Sequence, residues 1–234
     1  MKMNKTKVFA LALAVCMIAI LSMGSLAWFT DTDDVTNDFM IAGSGMGGDS
    51  VFSVTVWEQK DENGDGDFDD TDDVNYTEDG LSYSDILPGD ALSKVAHVTN
   101  TGSYDQYIRV TVTINEAEIW ANCLGSDFND ATLLGIFGGF DMASWSNITT
   151  AVDTVNDKIV IVMYYNDILA VDGDFVVFDT VNVPAQLTPD QADAMGANGF
   201  SISVVADAVQ TMNLGIDLTD GICDAYQAFA VVEA

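Results

Sequence analysis

The sequence predicts an all-β antiparallel β-sandwich with a short helix or helical insertion, preceded by a signal peptide, and three observations carry that prediction. Seven short alternating or β-branched runs recur along the chain, Gly/Asn/Asp-rich segments separate them, and helical periodicity is sparse. With 49% hydrophobic residues and a mean hydropathy of +0.21, the chain is too apolar for a disordered acidic polymer and should bury a core. At 234 residues one domain is the natural count, and nothing repeats at a solenoid period.

Residues 1–27 read as the signal peptide. Lys2, Lys5 and Lys7 form a basic start, 8–21 is an uncharged apolar run, and small residues at Ser25 and Ala27 place a signal-peptidase cut between Ala27 and Trp28. A retained membrane anchor is the alternative, although this run is shorter than the roughly 20 residues a spanning helix needs. No second run of spanning length follows, so membrane contact is expected only through the signal peptide before cleavage. Cys16 departs with it.

Residues 28–50 form an N-terminal segment in which Trp28, Phe29, Phe39, Met40 and Ile41 punctuate a stretch of Asp and Thr. GSGMGG at 43–48 is a flexible hinge. Such a segment can pair with an open sheet edge, its own or a neighbour's, and head-to-tail exchange would generate an open filament.

The sandwich domain spans 51–234. Its expected strands are 51–57 (VFSVTVW), 93–99 (SKVAHVT), 107–114 (YIRVTVTI), 158–165 (KIVIVMYY), 175–183 (FVVFDTVNV), 200–209 (FSISVVADAV) and 228–233. Thr188-Pro189-Asp190 reads as an N-cap with proline at the first helical position, opening a helix through Met195. Residues 116–122 could add a turn or two, and 131–145 is a helical insertion or a covering loop. Cys123 and Cys223 remain after export. They are either a disulfide closing a long loop, worth about 2–4 kcal/mol, or two free thiols, since a pair has no spacing signature.

All 37 acidic residues lie from Asp31 onward, beside only four of the seven basic ones, and the formal net charge is -30. That excludes nucleic acid as a partner, which needs a basic stripe, and it repels anionic lipid.

The acidic loop 61–73 (DENGDGDFDDTDD) holds eight acids in thirteen positions. Asp61, Asn63 and Asp65 alternate, Gly66 supplies a sharp turn, Phe68 an apolar anchor, and Asp72 arrives at the twelfth position. This is the oxygen-ligand arrangement that wraps Ca²⁺, with Asp where an EF-hand closes on Glu. Asp61, Asn63, Asp65 and Asp72 would ligate through side chains, Asp67 through its carbonyl, and Asp69 directly or through water. The loop resembles the D-x-N-x-D-G loops of dockerin-like modules but follows a strand, so it is not an EF-hand. Like-charge crowding is the physical argument for an ion, and a structural Ca²⁺ suits an extracellular setting better than a sensor. A solvated acidic hairpin tip is the alternative.

Enzymatic chemistry finds few of its usual residues. His97, the single histidine, sits in an expected strand, and H-E-x-x-H, G-x-S-x-G, C-x-x-C and a glycine-rich phosphate loop are all absent. Carboxylate pairs for glycoside hydrolysis cannot be singled out among 37 acids.

Several segments together resemble the TasA/camelysin (CalY) family, whose members carry a SipW-dependent type of signal peptide. SLAWFTDTDDVTNDFMIAG (25–43) matches its aromatic and F-T-D-T start and its N-x-F segment, with one extra residue before Gly43. Leu87-Pro88-Gly89-Asp90, the N-T-G-S turn at Asn100–Ser103, the strand Tyr107-Ile108-Arg109-Val110 and the tail 204–210 (VVADAVQ) are similar to further family motifs. The acidic loop and residues 115–157 depart from its pattern. The resemblance implies a secreted jelly-roll-like sandwich that self-associates into biofilm-matrix fibres, the mature N-terminal segment acting as donor strand. It also implies removal of the signal by a dedicated signal peptidase. Camelysin has been classed as a metalloprotease, an activity that a single histidine does not support here.

The expectation is therefore a secreted, non-enzymatic fibre subunit stabilised by calcium. A monomeric calcium-bound surface protein that binds a protein or glycan is the alternative, and an exported hydrolase the minor one. Sequons at Asn75 and Asn147 are weak glycosylation signals.

Overall fold

The computed structural model describes residues 30–34, 37–39, 52–69, 71, 73–125, 132, 134–195, 199–212 and 214–233, the first two segments as backbone only. The signal peptide, Ala27, Trp28, Phe29, Met40, Ile41 and the 43–48 hinge lie outside the described residues.

Two antiparallel sheets form the sandwich. One has the order β2-β1-β11-β6-β9-β8, built from β1 (Thr30–Asp34), β2 (Asn37–Phe39), β6 (Gln106–Asn115), β8 (Trp145–Asp153), β9 (Lys158–Tyr165) and β11 (Ile202–Gln210). The other, β4-β3-β5-β10-β7, contains β3 (Val54–Lys60), β4 (Val74–Thr77), β5 (Ala91–Asn100), β7 (Phe137–Gly138) and β10 (Asp174–Asn182). Consecutive strands β5 and β6 lie in different sheets. So do β10 and β11, which pair β5 and β6 respectively. Two strand pairs thus wrap together over the core, in the manner of a jelly roll.

Alternation builds that core. Val54 and Val56, Ala96 and Val98, Ile108, Val110, Val112 and Ile114, and Ile159, Ile161 and Met163 all point inward and are almost fully buried. Trp120 on α1 (Ala117–Leu124) closes one end, edge-on to Phe200 at 5.1 Å. β11 begins at Ile202, two residues after Phe200, where the expected strand began.

The crossing from β5 to β6 is pinned by a buried amide pair. Asn100 Nδ2 donates to the carbonyls of Tyr104 (2.9 Å) and Leu169 (3.0 Å), while Asn100 Oδ1 accepts from Gly102 N (2.9 Å) and Gln106 Nε2 (2.8 Å). A Cβ on Gly102 would lie 2.5 Å from Gln106 Nε2 and 2.8 Å from Ser53 N, so only glycine fits this turn. The N-T-G sequence is therefore a packing device.

The helix α2 (Pro189–Met195) starts where proline predicts it. Thr188 Oγ1 accepts from Gln191 N (3.3 Å), and the Gln191 side chain accepts from Thr188 N (2.8 Å), a reciprocal capping box.

Residues 228–233, expected as a strand, are instead the end of the helix α3 (Asp224–Val232) and its C-cap, Glu233. Ala225, Ala228, Phe229 and Val232 recur at helical spacing and pack on Tyr107, Val209 and Leu214, on the outer face of the six-stranded sheet. Within 131–145, expected as a helical insertion or a covering loop, Thr132 and Leu134 are helical, while Phe137–Gly138 forms β7, which pairs β10, and a 3₁₀ turn (Met142–Ser144) leads into β8. The disulfide option is not realised, because Cys123 and Cys223 are both free. Cys123 lies on α1 near Gln191, whereas Cys223 packs with α3 beside Tyr165. Separate packing clusters keep the two thiols from the close Cα approach a disulfide requires.

Candidate functional site

The acidic loop is the turn of the β3–β4 hairpin. Its first residue is tied to the sheet, since Asp61 N donates to Ser93 Oγ on β5 (2.9 Å). Asp61 Oδ1 then accepts from Gly64 N (2.5 Å) and Oδ2 from Gly66 N (2.9 Å). The alternating side chains continue the pattern: Asn63 Oδ1 accepts from Asp65 N (2.8 Å), Asp65 Oδ1 from Asp67 N (3.1 Å) and Asp67 Oδ1 from Asp69 N (3.3 Å). Asp73 closes the turn by accepting from Glu62 N (2.8 Å). Asx residues at every second position thus fold the backbone around themselves, which is why D-x-N-x-D-G makes a compact turn without a hydrophobic core.

Electrostatics within the loop are opposed. The amides of Gly66 and Gly64 hold the Asp61 carboxyl below its ordinary range. Asp67 accepts an amide bond from Asp69, which lowers it, but the side chain of Asp69 and the charges of Asp65 and Asp69 prevail and push it up. Asp72 lies outside the described residues. Among those described, no three His, Cys, Asp or Glu side chains stand together as a metal cluster. The donor set is nonetheless all hard oxygen, and each carboxylate retains lone pairs beyond those used by the amides, which suits Ca²⁺ rather than a softer ion.

The second predicted feature is the N-terminal edge. β1 pairs β11 antiparallel over Thr30↔Val209 to Asp34↔Val205, and β2 pairs β1 with Phe39 opposite Thr32. β11 therefore lies between β6 and the N-terminal strand.

His97 lies on the outer face of β5, its ring stacked on Trp57 at 3.9 Å. Nδ1 meets Asp174 Oδ2 (2.8 Å) and Nε2 meets Gln59 Oε1 (3.0 Å). Trp57 Nε1 donates to Thr99 Oγ1 (2.8 Å), which donates to Asp174 Oδ1 (2.5 Å). Both ring nitrogens of His97 are thus engaged in a cross-strand network. Asn75 and Asn147 are exposed on β4 and β8.

Each basic residue from Lys60 onward faces a carboxylate. Lys60 pairs Glu62, and Lys94 pairs Glu58. Arg109 holds Asp207 through Nε (2.9 Å) and Nη2 (2.7 Å), also pairs Glu233, and lies 4.5 Å over the Phe229 ring. Lys158 stands opposite Asp153. The Lys94–Glu58 pair was missed from sequence, although period-two alternation already places Glu58 with Val54 and Val56, and Lys94 with Ala96 and Val98.

Compared with known proteins, the chain matches no family model, no curated protein and no solved structure.

Proposed function

We propose that this protein is a secreted structural subunit of extracellular matrix fibres, assembled by exchange of its N-terminal strand and stabilised by calcium at the acidic loop. The observation that carries the reading is the place of β1 beside β11. If β1 left that place, the edge of β11 would be open, and the same strand from another copy could restore the pairing. Residues 40–53, which include the glycine-rich GSGMGG sequence, join β2 to β3, and that composition would favour such an exchange. Because the donor of one copy would enter the acceptor of the next, the contact is heterologous and propagates. The resemblance of the N-terminal and turn motifs to TasA/camelysin proteins points the same way, and the Ca²⁺ ion would also screen a mature chain of four basic and 37 acidic residues.

A monomeric calcium-bound surface protein is the second reading, favoured by the pairing of β1 with β11 of its own chain. Electron microscopy of residues 28–234, with calcium and with chelator, beside a chain starting at Gly43, separates the two. Filaments from the longer chain alone support strand exchange. Dispersed, folded monomers from both would leave the monomeric surface protein.

A further inference from the structure

We propose that Lys94 and Glu58 condense into a side-chain amide that cross-links β3 to β5 within one chain. The two residues lie on neighbouring antiparallel strands, Glu58 opposite Ala96 in register and Lys94 one inward-facing position along. Their side chains are 1% and 8% exposed, and Lys94 Nζ bonds Glu58 Oε1 directly. The other carboxyl oxygen, Glu58 Oε2, is shut off from solvent and has no hydrogen-bond partner among the described residues.

A dry ion pair with one unpartnered oxygen is an unfavourable way to fill this site. Burial disfavours the ammonium form of Lys94, although Glu58 works against that effect, and one proton passed along the Nζ–Oε1 hydrogen bond leaves an amine facing a carboxylic acid. The neutral amine is the nucleophilic form, and the neutral carboxylic acid is the electrophilic one. The fold holds them together at an effective concentration on the order of 10⁵–10⁸ M when the approach is well aligned.

Nζ attacks Cδ, forming the C–N bond. Oε2 then departs with one proton from the carboxyl and one from nitrogen, as water, and Oε1 remains as the amide carbonyl. No electrons are gained or lost, and no co-reactant is needed. The departing atom is the oxygen that lacks a partner. On the lysine side of the pair, Lys94 but not Glu58 lines a cavity of about 240 Å³ with Leu81, Tyr83, Ile86 and Phe200, into which the released water would pass. This proposal stands independently of the fibre reading.

The test is the intact mass of the purified, folded full chain, followed by peptide mapping. The expected result is a loss of one water, about 18 Da, carried by a branched peptide that joins Lys94 to Glu58. Asp65-Gly66, Asp79-Gly80, Asp172-Gly173 and Asp220-Gly221 can also lose water as cyclic imides, so the digest is repeated after hydroxylamine, which opens imides and spares the amide. Glu58→Gln is expected to reach the same final mass by losing ammonia, and Lys94→Arg to keep its full mass. A wild-type chain of full mass, or a loss that maps to an Asp-Gly step, overturns the proposal without reliance on any variant's folding.

Discussion

The amide of Gly66 donates to Asp61 Oδ2 at 2.9 Å while Gly64 binds the other oxygen of the same carboxylate, so one side chain closes a six-residue turn. Gly66 adopts φ +90°, a conformation that burdens a residue bearing a Cβ by about 1–2 kcal/mol. Gly66→Ala and Asp61→Ala should both loosen the loop. Asp61→Ala should also remove its response to calcium.

That response is itself measurable. For extracellular sites with Kd of roughly 10⁻⁴–10⁻³ M, about 10 mM calcium should stabilise the fold by roughly 1.4–2.7 kcal/mol. The thermal midpoint should rise with calcium and fall with chelator. A midpoint indifferent to calcium would sink the ion-binding reading.

Asn100→Ala should weaken the crossing from β5 to β6. It removes the acceptor of the buried Gly102 N, while Gln106 Nε2 keeps Ser53 O (3.1 Å) and the Leu169 carbonyl keeps Gln106 N (3.0 Å), and a stranded buried group costs about 1–3 kcal/mol. Urea unfolding should show a loss of about 1–3 kcal/mol.

Phe229→Ala tests the docking of α3. The ring is 2% exposed and lies under the Arg109 guanidinium, so its removal should cost about 3–5 kcal/mol. If α3 were only loosely attached, the unfolding midpoint would hardly move.

Acid should weaken the protein through a defined set of carboxyls. Burial raises the Asp174 carboxyl, but the bonds from His97 and Thr99 prevail and hold it below the usual carboxylate range of 3.8. Asp153 is held low by Asn156 and the Val155 amide, and Asp141 by Ser144. Groups depressed in the folded state contribute stability above the unfolded value, and that stability is lost as pH falls through their folded values. Stability should therefore decline below about pH 3.8, and less steeply in Asp174→Asn. Asp67, raised in the loop, acts in the opposite sense, so Asp67→Asn should help the loop at neutral pH.

Sequence patterning is most legible where burial is strictly alternate. The run 158–165 is β9 residue for residue, because Ile159, Ile161 and Met163 face the core, and Pro189 marks α2. It fails where β-branched residues serve a helix: Val231 and Val232 mimic a strand, yet Ala225, Ala228 and Phe229 set a period of three and four. β8 (SNITTAV after its tryptophan) and β4 (VNYT) are edge strands with polar outer faces, so neither shows a hydrophobic pattern. In the loop, Gly66, read as the sharp turn, takes φ +90°. The buried Glu58–Lys94 pair escaped notice because charged letters in a strand are usually read as solvent-facing.

β11 receives the first strand of the chain along one edge and the C-terminal helix across its outer face. The partner of β1 therefore stands far along the chain from it. Until residues 202–210 have settled against β6, β1 has only the adjacent strand β2 beside it, and contacts between such distant segments form late. A folding chain therefore carries the β1–β2 hairpin with the other edge of β1 open until β11 is in place.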